Sequence, residues 1–149
     1  MTVPDVNPAT LPQAEFAQVV KRSSTGDLRR LMTGEQRRAV LDEVFVRMPG
    51  VFRADRAGST NAVLHWKVGD RPDGGADTYE LVIADRTCTL SPGPDRTPTL
   101  ELSIGAVDFL KMVTGNANPI ALFMLGKMKA KGDIGLTARV PNLFDVPKA

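Results

Sequence analysis

A chain of 149 residues, 42% apolar and 24% charged, has enough material for one buried core. Its single cysteine, Cys88, excludes an internal disulfide and a cysteine-based zinc site. The net charge of +2 conceals a pattern, since residues 21–56 hold nine Lys/Arg against five acids, residues 57–110 four against eight, and residues 111–149 six against two. Basic ends around an acidic middle fit either a solvated surface or an anionic partner. No apolar run approaches the ~18 residues of a membrane span. The first residues lack a basic region followed by an apolar stretch, so a soluble, cytoplasmic protein is expected.

Residues 1–9 are rich in turn formers and are expected to fray. Thr10 and Gln13 read as a capping box for a first helix with Phe16, Val19 and Val20 as its apolar stripe. A second short helix carries Leu28, Leu31 and Met32. Thr33 and Gln36 read as another capping box. The helix that follows, about 34–48, sets Val40, Leu41, Val44, Phe45 and Met48 at three- and four-residue spacing. Pro49-Gly50 ends it.

The period then changes to two. Ala62, Leu64, Trp66 and Val68 alternate with Asn61, Val63, His65 and Lys67, which predicts a strand with one buried face. The acidic turn 70–77 leads to a strand with Tyr79, Leu81 and Ile83 inward. Residues 86–93 give a short edge strand, and Leu100, Leu102 and Ile104 mark a fourth. The links are short enough for an antiparallel meander. Helices return over 106–114 and from Asn118, a cap followed by Pro119 in the first turn. The second of these, Ile120 to Leu125, is apolar nearly all round, which predicts burial on more than one side. Lys127 to Lys131 reads as a fifth strand, with its lysines on one face and Met128 and Ala130 on the other. Asp133 caps a last short helix.

Met112, Met124 and Met128 crowd together with Phe109, Phe123 and Phe144. Two readings stand open: a filled core, or a core with a hole in it, for which flexible, polarisable methionine is a suitable wall. Lys127, Lys129 and Lys131 are likewise open between a solvated strand face and contact with phosphate groups.

Residues 108–144 carry Thr114-Gly115, Asn118-Pro119, Phe123, Gly126-Lys127-Met128-Lys129, Gly132-Asp133 and Gly135-Leu136, in that order. In these motifs and their order the stretch resembles the sterol carrier protein type two (SCP2) family, and the likeness extends back to about Val40. The resemblance implies an α+β fold, with a five-stranded, mostly antiparallel sheet covered on one side by helices and an apolar tunnel between them. It also implies a non-catalytic carrier of a fatty acyl chain, an acyl-CoA, a sterol-like molecule or another apolar ligand, with no cofactor. The tunnel wall is expected from Phe109, Met112, Val113, Ile120, Phe123, Met124 and Met128. Leu136, Val140, Leu143 and Phe144 are expected to form a C-terminal cover, and Trp66 to face the ligand from the sheet side. Leu125, Ile134 and Ala138 stand where family members often carry Gln or Met, so a polar headgroup anchor is not expected. At ~0.8 kcal/mol per methylene, burying roughly ten methylenes yields about 8 kcal/mol before ordering costs, enough for micromolar binding.

Residues 1–33 read as an added helical pair before an SCP2-like domain at 34–149. They offer a surface for a second copy or for a partner enzyme to which a lipid would be presented, and the lysine strand suits transient contact with a membrane. Nucleic acid is not expected, because the basic residues lack interleaved exposed aromatics. His65 alternates with Leu64 and Trp66 and is expected on a solvent-facing surface. Residues 70–77 miss the calcium-loop pattern, with Leu81 at its twelfth position. No serine lies in a nucleophile-elbow pattern, and Cys88 is expected to be buried and inert.

Overall fold

Alternating side chains over residues 62–68 form β1 (Ala62–Val68), with Leu64, Trp66 and Val68 turned into the core. β1 pairs antiparallel with β2 (Asp77–Ala84), and β2 with β3 (Thr87–Leu90). β4 (Leu100–Ile104) lies on the other side of β1, parallel to it, and β5 (Met128–Gly132) runs antiparallel to β4 at the far edge. The sheet order is therefore β3-β2-β1-β4-β5, an α+β architecture with one parallel pair. The expected meander stops at β3. Pro92, Pro94 and Pro98 punctuate the next link, and a segment short of N–H donors crosses the sheet instead of pairing with its edge. The computed structural model describes residues 10–145. The arm expected to fray, residues 1–9, lies outside them.

Helices α1 (Gln13–Arg22), α2 (Thr25–Thr33) and α3 (Arg37–Arg47) precede the sheet, with a 3-10 turn (Met48–Val51) and the short α4 (Ala54–Ala57) before β1. α5 (Ala106–Val113) and α6 (Pro119–Met124) lie between β4 and β5, and α7 (Ile134–Thr137) and α8 (Val140–Leu143) follow β5. Neither expected capping box forms. α1 begins after Pro12, and Thr33 is the last residue of α2, its Oγ1 donating to the Arg29 carbonyl. The cap on α2 is Ser24, which accepts from the Asp27 N–H at 3.0 Å. In the acidic turn, Asp70 accepts from the Ala106 N–H at 3.1 Å, so the β1–β2 hairpin holds the first turn of α5.

The core is threaded by rings. Phe45 of α3 stacks on Tyr79 of β2 at 4.1 Å and on Phe109 of α5 at 5.3 Å, and Phe109 lies 5.9 Å from Trp66 of β1. Beside the stack, the buried Arg37 bonds Asp77 at 3.0 Å, the Met32 carbonyl at 3.1 Å and the Val68 carbonyl at 2.8 Å. One guanidinium thus joins the end of α2 to β1 and β2. Phe16, Val20, Leu28, Leu31 and Met32 belong to the same core, where α1 and α2 pack on α5.

The expectation for His65 fails. It does face away from the helices, but that face is covered where the 91–99 link crosses it, and His65 is buried. Its Nε2 lies 3.0 Å from Glu80 Oε1, and Arg96 donates to the same carboxylate from its backbone N–H at 2.8 Å and its guanidinium at 2.9 Å. Burial alone would raise the Glu80 carboxyl. The hydrogen bonds from His65, Ser91 and Arg96 together outweigh it and hold the group at about 2, against an ordinary 4.5. The depressed value sets the sign. The stabilisation is complete above the unfolded value and is lost as pH falls through the folded one. Urea unfolding should therefore show stability falling between pH 4.5 and about 2, and Glu80→Gln should flatten that fall. Equal slopes in the two proteins would acquit this carboxylate as an acid-sensitive group.

Candidate ligand-binding cavity

A cavity of about 480 Å³ lies between the sheet and the helices, within the ~300–1,000 Å³ typical of small-molecule sites. Its floor is Trp66 of β1, Leu102 of β4 and Met128 of β5. Trp66 and Leu102 are paired across the parallel strands, while Met128 sits opposite Ile104 one step along the sheet. One wall is the end of α5, Met112 and Val113, continued by residues 115–119. Met48, Thr137, Val140, Pro141 and Phe144 complete the lining of this partly open pocket.

The rim is fixed by local chemistry. Thr114 Oγ1 donates to the Leu110 carbonyl at 2.6 Å and ends α5. Gly115, at φ 77°, supplies the left-handed turn that follows. Asn116 Nδ2 donates to the Ala17 carbonyl at 3.1 Å, tying the rim to α1. Asn118 Oδ1 accepts from the N–H groups of Ile120 at 2.8 Å and Ala121 at 3.2 Å, as its cap role requires. The C-terminal side is clasped to the segment before β1. Phe144 bridges Phe52, with Arg53 N–H donating to the Leu143 carbonyl and Asp145 N–H to the Val51 carbonyl, each at 2.7 Å.

Of the twelve residues expected at the ligand, the structure brings Trp66, Met112, Val113, Met128, Val140 and Phe144 around this cavity. Phe109, Leu136 and Leu143 are buried but fill the core beside it. Ile120, Phe123 and Met124 are elsewhere, because the expected all-round burial of α6 does not occur. Leu122 alone of its side chains is buried, and Ile120 is 54%, Phe123 37% and Met124 80% exposed, with Leu125 beyond it at 70%. The helix has six residues, fewer than two turns, and Gly126 at φ 75° then swings the chain into β5. Only one side of so short a rod meets the sheet.

Sequence reasoning passed over Met48, Leu102 and Thr137. The alternation that turned Leu102 inward was a usable signal. Thr137 carried none, because only the apolar Leu136, Val140, Leu143 and Phe144 were read as the C-terminal cover. Yet two polar atoms on lining residues, Trp66 Nε1 and Thr137 Oγ1, are buried without a hydrogen-bond partner. No lining side chain carries a charge. Among the described residues no group of three or more His, Cys, Asp or Glu is placed to hold a metal ion, and burial pushes the Cys88 thiol up to about 11.

Residues 52–145 match the SCP-2 sterol transfer family. This chain belongs to it. Human sterol carrier protein 2 is 30% identical over 81 residues, which cover 54% of this chain and 15% of the human protein's length. The apo form of sterol carrier protein 2 from Yarrowia lipolytica superposes with a TM-score of 0.55 at 20% identity, over 76% of this chain and 94% of that one. The sec-alkylsulfatase Pisa1 of Pseudomonas sp. carries a similar fold, with a TM-score of 0.60 at 16% identity over 89% of this chain and 24% of that one. The SCP2 match opens at Phe52 and closes at Asp145, the two strands of chain that the Phe52–Phe144 bridge ties together.

An enlarged side chain reports where space exists. In this SCP2 domain Val113→Phe, at the cavity, should leave unfolding free energy unchanged or raise it by about 0.5–2 kcal/mol. Leu110→Phe, one turn back in the packed core, should cost about 1–3 kcal/mol. Urea titration of both variants checks the contrast, and equal losses would mean that the space at Val113 is already filled.

Proposed function

We propose that this protein is a non-catalytic carrier that takes an apolar lipid into the cavity and exchanges it at a membrane surface. The cavity of about 480 Å³, open on one side and with Trp66, Leu102, Met112, Val113, Met128 and Phe144 around it, carries the reading. Each methylene moved from water into such a lining contributes ~0.8 kcal/mol, so affinity rises about fourfold per methylene until the space is full. Family membership supports lipid binding in general and does not single out a ligand.

The exposed α6 supports the second half of the proposal. Pro119 and Asn118 belong to the cavity rim, and directly after them come Ile120, Phe123, Met124 and Leu125, apolar and open to solvent. Exposed apolar groups of this size mark an interaction surface. Lys127, Lys129 and Lys131 follow, all exposed, and each lysine near an anionic bilayer contributes ~1 kcal/mol. Apolar tip, basic flank and cavity rim are thus consecutive along the chain. A partner-docking role for residues 1–33 ranks second, since α1 and α2 already bury their apolar faces against α5.

Two measurements test this. Fluorescent acyl chains of rising length should bind with rising affinity up to a plateau, and Val113→Phe should bring the plateau to a shorter chain; affinity independent of length would sink the carrier reading. The double variant Met124→Glu, Leu125→Glu should lose at least tenfold in partitioning to phosphatidylserine vesicles while keeping its acyl-chain affinity in solution. Undiminished partitioning would remove α6 from the membrane contact.

A further inference from the structure

β5 forms one edge of the sheet and pairs only with β4. An edge strand turns half of its backbone N–H and C=O groups outward, where the sheet offers them no partner. The opposite edge, β3, has four residues, and the 3-10 turn Met48–Val51 packs against it. α6 and α7 touch β5, but both carry cavity residues and so lie on the cavity face. Lys129, Lys131 and Gly132 are exposed.

Side chains alternate along β5. Met128 faces the cavity, which puts Lys129 and Lys131 on the reverse face of the sheet. That face is basic near this edge. Lys129 is in register with Ser103 of β4, and Ser103 with Lys67 of β1. Glu101 is in register with Lys131, yet its carboxylate lies 3.6 Å from Lys67. Among the described residues, Lys129 and Lys131 have no ion-pair partner.

We propose that the open edge of β5 accepts an extended acidic segment of another protein as an added strand. Asp or Glu at alternate positions of that segment stands beside Lys129 and Lys131, and small or apolar residues between them continue the inner face next to Ala130. This surface lies apart from the cavity, so it neither needs nor supports the carrier reading. Neighbouring strands lie ~4.8 Å apart, which brings the carboxylates within reach of both ammonium groups. Each directly opposed pair of opposite charges contributes ~0.2–1 kcal/mol. Main-chain hydrogen bonds supply the remaining affinity, and the alternate side chains supply the selection. The same charges disfavour a second copy, because two β5 strands side by side would set lysine against lysine. A bilayer offers phosphates and no peptide ladder, so it would answer the charges and leave the strand edge unpaired.

The test uses the whole chain and a capped, fluorescent heptapeptide in which glutamate alternates with valine. Its anisotropy titration should saturate, and binding should weaken as salt rises. A peptide of the same composition with its glutamates contiguous should bind about fivefold more weakly. Two N-methylated versions, each blocking the N–H groups along one edge of the peptide, separate strand pairing from plain charge attraction. One should lose about tenfold in affinity and the other should bind like the parent. Lys129→Glu combined with Lys131→Glu should keep the wild-type far-UV circular dichroism, weaken the alternating peptide by about tenfold and admit a lysine–valine peptide in its place. Failure of the alternating peptide to bind, or parent-like binding by both N-methylated versions, overturns strand addition. If the double variant loses partitioning to phosphatidylserine vesicles while its peptide affinity is unchanged, the two lysines serve a bilayer and the acidic partner is overturned. Acyl-chain affinity, measured on the same samples, reports on the carrier reading separately.

Discussion

The contact on which the rest of the structure depends is that of Phe109 with the rings around it. Stacked on Phe45 and leaning against Trp66, it fills the space between helices and sheet at one end and sets how far α5 stands from β1. Trp66 is the boundary. One side of the indole meets packed aromatic rings, and the residue also borders open volume. A close-packed interior does not tolerate a hole of this size unless rigid neighbours prevent collapse. Here the neighbours are the ring stack, the paired strands of the floor, and a rim anchored through Asn116 to α1.

The strands were legible because alternation at period two has a single geometric meaning. Leu64, Trp66, Leu81, Leu100 and Leu102 all turned inward as their spacing required. Caps with a side chain close in sequence were readable as well, at Asn118 and Asp133. The capping boxes read at Thr10 and Thr33 failed locally; the other failures depend on distance along the chain. Nothing in the alternation of His65 tells that a proline-rich link will pass over it from residues 91–99, because burial of an outward residue is a property of its cover. The same holds for α6. An all-apolar run says that water is unfavourable on every side, and it does not say that the chain has material left to provide shelter. Trp66, Met112, Val113 and Met128 meet at the cavity because they lie on inward faces of β1, α5 and β5, whose periodicity is reliable. Residues 120–124 missed it because a helix of six residues offers too few positions to define a buried face.

The two faces of the sheet do different chemistry. The cavity on the helix side is lined by uncharged residues, with the Arg37–Asp77 pair set apart beside the ring stack. The other side is a field of charges in which His65, Glu80 and Arg96 are interlocked, with Lys67 near Glu101 at 3.6 Å. Carboxylate hydrogen bonds outweigh desolvation there. Electrostatics thus holds the crossing link in place on one surface, while the cavity lining on the other carries no charged side chain. At the edge, Gly132 lets β5 reach the sheet end, since a Cβ there would stand 2.4 Å from the Thr99 carbonyl oxygen. The exposed lysines of that strand also discourage pairing with another sheet.

The antiparallel bridge between Phe52 and Phe144 brings the entrance and exit of the matched domain side by side. A polypeptide that arrives and departs at neighbouring points can be spliced into a larger architecture without stretching either flank. That geometry lets such a unit travel as a cassette through proteins of very different length.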